Sequence, residues 1–152
     1  MSADFSNIYN YRQASPLVAT SGQPKAERFK EIAAAGYEVV INLALHDDPR
    51  YSLPDEPGTV RAAGMTYIHI PVKFDHPTVA DLETFFQAME SHKGRKLWVH
   101  CAANMRVTAF LGLYWAMREG QPHEQAFALM NDVWKPDKVW TAFISSTLEQ
   151  RS

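Results

Sequence analysis

The residues best equipped for chemistry stand in one stretch, "KLWVHCAANMRVTAF", positions 96–110. It holds the only cysteine of the chain, Cys101, with His100 before it and Arg106 and Thr108 after it. Residues 95–100 read as a strand, and a strongly apolar helix begins near Arg106 and ends at Gly120. A strand that runs into a tight loop and then a helix start points unpaired backbone N–H groups into one small concavity. Ala102, Ala103, Asn104, Met105 and Arg106 form such a candidate phosphate-binding loop before any side chain is counted. A thiol held there feels the helix N-terminus and a nearby cation, and both favour the thiolate. Facing a bound phosphoryl group, a thiolate can attack phosphorus in line and give a cysteinyl-phosphate that water then clears. Arg106 can clamp the phosphate oxygens with its planar donor fork, and His100 can hold the loop by ring hydrogen bonds to carbonyls. The competing readings are a plain buried thiol at Cys101 and an ordinary ion pair at Arg106. The company of His, Arg and Thr at a strand–helix junction favours an active-site position.

Elements that position this loop are legible on either side. "PLVAT" (16–20) reads as a short strand; Pro24 suits a first helical position, and Gly36 is placed to end that helix. Residues 37–45, "YEVVINLAL", are β-branched and apolar on both faces, which predicts a central strand. A short helix over 59–63 and a strand over 65–72 follow. Thr78 is a good N-cap with Asp81 three residues on, ahead of Val79, Leu82, Phe85, Phe86 and Met89 at helical spacing. Pro122 opens one late helix and Pro136 another. This alternation predicts an α/β fold, a largely parallel central sheet of four or five strands flanked by helices, with ligands at the C-terminal strand ends. Cys101 stands at one of those ends.

The whole chain fits one domain over 1–152, since 152 residues suffice for one proper core and nothing reads as a linker. Apolar residues at 46% and charged residues at 21% are far from the composition of disorder. A net charge of −2 with no Lys/Arg run argues against nucleic acid as a partner. No apolar run reaches the roughly 20 residues that span a bilayer, and no signal peptide opens the chain, so a cytoplasmic location without membrane attachment is expected. One cysteine cannot form an internal disulfide. His46, His69, His76, His92 and His123 lack ligand spacing, so no metal is expected.

"VHCAANMRVT" resembles the signature of cysteine-dependent protein tyrosine and dual-specificity phosphatases, His-Cys-x-x-Gly-x-x-Arg-Ser/Thr. "TSGQP…FKEIAAAGYEVVINLAL" and "AAGMTYIHIPVKFDHPTVADLETFFQAM" are similar to the small bacterial β-lactamase-hydrolase-like phosphatases. The resemblance covers most of residues 15–117. It implies a sheet of four or five strands between helices and no metal or organic cofactor. The loop departs from the signature: four residues, not five, separate Cys101 from Arg106. Two alignments are open. Ungapped, Asn104 takes the glycine position, Val107 the arginine position and Thr108 the hydroxyl position; asparagine is the best non-glycine residue for a left-handed backbone. Gapped, the loop is one residue shorter and Arg106 keeps its role. One helical position is a rotation of about 100°, so the alignments aim Arg106 differently.

In this family an aspartate on the loop before the cysteine strand protonates the leaving oxygen, and the match is Asp75 in "PVKFDHPT". Its competing reading is a turn residue, and Asp47 and Asp48 are the substitutes. Thr108 either supports the sulfur through its hydroxyl or bonds back within its helix. Ser21, Gly22 and Gln23 either border the pocket or form a helix-entry turn. Three functions remain open: hydrolysis of a phosphomonoester, on a phosphorylated protein or a small molecule; oxyanion binding without turnover; and sulfur transfer through a Cys101 persulfide, because the shorter loop resembles that of rhodanese-like sulfurtransferases.

Overall fold

Alternate residues of the central strands face opposite sides of the sheet, and both sides are apolar. Val39, Ile41, Leu97 and Val99 belong to one core, and Val40 and Trp98 to the other. The structure is a computed structural model that describes residues 4–45 and 52–150. Its strands are β1 (Arg12–Ser15), β2 (Val18–Ser21), β3 (Val39–Asn42), β4 (Thr66–His69) and β5 (Leu97–His100). They form one five-stranded sheet in the order β1-β2-β5-β3-β4. Every neighbouring pair is parallel except β1 with β2. The last strand in sequence therefore lies in the middle of the sheet, between strands made much earlier.

Helices cover both faces. On one, α3 (Val79–Ser91) and α4 (Met105–Arg118) contribute Leu82, Phe85, Phe86, Phe110 and Leu111, and α7 (Lys138–Glu149) adds Trp140. On the other, α1 (Arg28–Ala34) and α2 (Glu56–Ala62) contribute Phe29, Ile32 and Val60, with Phe5 and Ile8 from the N-terminal segment. All residues from Arg106 to Tyr114 are buried, so α4 is packed on every side. This largely parallel α/β architecture is the one expected from the alternation of elements.

Several boundaries differ from expectation for local reasons. The first helix starts at Arg28, not Pro24, because the Gln23 amide takes the Pro24 carbonyl at 3.0 Å and Arg28 N–H donates to Lys25 O. α2 starts at Glu56, before the expected 59, with Asp55 as its cap. The helix from Pro122 is broken into α5 (His123–Ala126) and α6 (Ala128–Val133) at Phe127, whose ring fills the space a side chain at Gly112 would need. Asp137, rather than Pro136, starts α7 by accepting from Trp140 N–H at 2.9 Å. Thr78 caps α3 through Asp81 N–H at 3.1 Å, as its sequence context predicts. β1 was not anticipated, since "RQAS" carries no apolar alternation. Among the described residues no helix is long and apolar enough to cross a membrane.

Candidate active site

β5 ends at His100 between Ser21 of β2 and Asn42 of β3. Cys101 follows, fully buried, with its N–H on Ser21 O at 3.3 Å. The next two carbonyls are both drawn outward. Ala102 O accepts from Gln23 N–H at 3.1 Å, and Ala103 O accepts from the Asn10 side-chain amide at 3.0 Å. In a trans peptide the following N–H points opposite to the carbonyl. The Ala103 N–H is thereby turned away from Gln23, and Ala103 also forms an antiparallel bridge with Gly22. Gly22 permits this close contact: a Cβ there would stand 2.6 Å from Ala102 O.

Asn104 adopts the left-handed conformation, φ +66°, which matches the conformational reason for aligning it with the signature glycine. It precedes α4 as N-cap but its side chain does not cap the helix. The amide instead donates to Asn10 O and to Thr20 Oγ1, both at 2.9 Å. The N–H groups of Met105, Arg106 and Val107 have no carbonyl within the helix to meet. Thr108 Oγ1 lies 2.9 Å from Asn104 O and 3.1 Å from Met105 O and accepts from Trp134 Nε1 at 3.2 Å, so its hydroxyl bonds back within its own helix.

The Arg106 side chain runs toward the segment after β4. One guanidinium nitrogen donates to Val72 O at 2.8 Å, and its central carbon sits 5.9 Å from the centre of the Phe74 ring. Arg106 is only 8% exposed, and among the described residues no carboxylate pairs with it. A buried guanidinium left without a counter-charge is costly, so an anion at this place would relieve it. Asp75, three residues beyond Val72, lies exposed on the Lys73–His76 turn, which His76 N–H closes on Lys73 O at 3.1 Å. That turn is anchored by Trp140 Nε1, donating to Phe74 O at 2.7 Å. Asp47 and Asp48, the substitute acids, lie outside the described residues, as does His46.

A buried carboxylate stands behind the loop. Glu56 and His100 are both fully buried, with His100 Nε2 2.7 Å from one carboxylate oxygen and the Gln23 amide donating to the other at 2.7 Å. Glu56 thus ties the end of the cysteine strand to the residue whose N–H turns the Ala102 carbonyl. Burial first, and the Glu56 charge second, push the nearby Tyr67 phenol above its ordinary range. His100 was expected to bond backbone carbonyls, yet its Nε2 meets a carboxylate. Neither Glu56 nor Asn10 was identified from the sequence, since their partners lie 44 and 93 residues away and only the topology joins them. Among the described residues no group of three or more His, Cys, Asp or Glu gathers as metal ligands do.

This loop and sheet have clear relatives. The model of the family described as DSP-PTPase phosphatase fused to NAD+ kinase matches residues 5–139. A β-lactamase hydrolase-like protein of Xylella fastidiosa is 33% identical over 102 residues; the match spans 63% of this chain but only 22% of that longer protein. A Shewanella putrefaciens CN-32 structure described as a phosphatase (DUF442) is 34% identical, with TM-score 0.85 over 97% of both chains. TpbA of P. aeruginosa, solved in complex with phosphotyrosine, shares the fold at 18% identity, with TM-score 0.68 over 95% of this chain and 86% of its own. With the family model covering most of its length, the chain belongs to the DSP-PTPase phosphatase family.

Proposed function

We propose that the protein hydrolyses a phosphomonoester through Cys101. The observation that carries this reading is the buried Arg106 guanidinium, without a carboxylate partner among the described residues, beside a helix start whose N–H groups no side chain caps. The oxyanion would sit between them, on the loop from Ala102 to Arg106. Cys101 Sγ attacks phosphorus as the bond to the leaving oxygen breaks, and that oxygen takes a proton from Asp75. Water then attacks the cysteinyl-phosphate, releasing inorganic phosphate and restoring the thiolate. The contact of Arg106 with Val72 supports Asp75 as the acid, because it brings the base of the Asp75 turn to the cysteine loop. The phosphotyrosine complex of TpbA supports a phosphorylated protein or a similar small phosphomonoester as substrate.

A second reading, oxyanion binding without turnover, is favoured by one observation: Arg106 stands one position early and donates to Val72 O. Hydrolysis of p-nitrophenyl phosphate separates the two. The wild-type chain is expected to release p-nitrophenol and to be inhibited by orthovanadate, and Cys101→Ser to release none. A wild-type chain that binds vanadate without turnover would establish the binding reading. Sulfur transfer is left if thiosulfate, and no phosphate ester, loads Cys101 by mass spectrometry.

A further inference from the structure

Two non-glycine residues among those described have a left-handed backbone, Asn10 at φ +52° and Asn104 at φ +66°, and they are bonded to each other. The Asn10 amide donates to Ala103 O at 3.0 Å while its own carbonyl accepts from the Asn104 amide at 2.9 Å. Tyr9, one residue earlier, accepts from Gly22 N–H at 2.7 Å, so this N-terminal segment lies along the cysteine loop from outside. A left-handed asparagine costs free energy unless its surroundings determine it. Two such residues in one reciprocal contact indicate that the loop's shape is imposed from the N-terminal segment as well as by its own residues.

We propose that Asn10 is a positioning residue for the oxyanion cradle. It holds the Ala103 carbonyl against the N-terminal segment and so sets the orientation of the peptide that leads into the helix start. It also fixes the Asn104 side chain against Thr20, keeping that side chain away from the helix start, which stays open to the ligand. This inference rests on the reading of the loop as an anion site. Its chemistry is a matter of orientation, since Asn10 itself touches no substrate.

The test measures orthovanadate inhibition and melting temperature of the full chain for wild type, Asn10→Gly and Asn10→Asp. Glycine keeps the left-handed backbone but loses the amide donor; aspartate keeps the shape but sets an acceptor against Ala103 O. Both are expected to raise the vanadate inhibition constant on the order of tenfold, as losing one oriented hydrogen-bond donor does. A variant that is only partly unfolded loses maximal rate without a change in that constant, so the readout distinguishes positioning from mere stability. Variants within about twofold of wild type would overturn the inference and leave the cradle intact. A wild-type chain that binds no vanadate would overturn the cradle, and this inference with it.

Discussion

The cysteine loop and the Lys73–His76 turn meet at the C-terminal end of the sheet, yet they are held in different ways. His100, Cys101 and Asn104 are fully buried, and the loop's carbonyls and side chains are tied to Asn10, Thr20, Gln23 and Glu56. The turn carries exposed Phe74 and Asp75 and is fastened at two carbonyls, Val72 O by Arg106 and Phe74 O by Trp140. The difference fits the roles proposed for each. An anion cradle works by preorganised donors that need not move, whereas an acid must reach a leaving group and then water, which an exposed turn allows. Arg106 links the two, since it leaves α4 and ends on Val72 O, at the base of the turn.

Removing that link is expected to cost the most activity. Arg106→Met is expected to lower kcat/KM by about 10²–10³-fold, the loss typical of an oxyanion donor. Its stability is expected to stay within about 1 kcal/mol of wild type, because an apolar chain replaces a buried charge with no carboxylate partner. Steady-state kinetics and urea unfolding check the two halves together; a large loss of stability would make Arg106 a structural residue. Asp75→Asn sharpens the contrast from the turn's side. It is expected to lower kcat for an ester with a poor leaving group by about 10²-fold and to abolish the alkaline fall of the pH–rate profile, since a general acid acts only while protonated. Stability is expected to change by less than about 0.5 kcal/mol, as for other exposed positions. The smallest effect belongs to Trp140→Phe, which keeps a ring in the core but releases Phe74 O. A stability loss of about 1 kcal/mol is expected by thermal unfolding, with kcat lowered more than vanadate affinity.

The sequence carried the parts of this arrangement that depend on local pattern. An apolar run into Cys101, a lone Asn where a left-handed turn is needed, and Thr78 with Asp81 at a helix start are local signals, and the structure has the strand, the turn and the cap. What was not legible is distant pairing. Glu56 reads as one more acidic residue in a loop until α2 brings it under His100, and Asn10 as one more polar residue near the N-terminus until it meets Ala103 O. Nor did spacing alone tell where Arg106 ends, because its direction depends on the carbonyl of Val72. Even local signals failed where a side chain intervened, as when Gln23 took the Pro24 carbonyl and delayed α1.

The central claim is that residues 101–106 form an oxyanion cradle, and a crystal structure of the wild-type protein with orthovanadate tests it most directly. Vanadium is expected within bonding distance of Cys101 Sγ, its oxygens on the N–H groups of Ala103, Met105 and Arg106, and the Arg106 guanidinium within hydrogen-bond reach of them. Vanadate absent from the loop at saturating concentration, with Arg106 still on Val72 O alone, would contradict it.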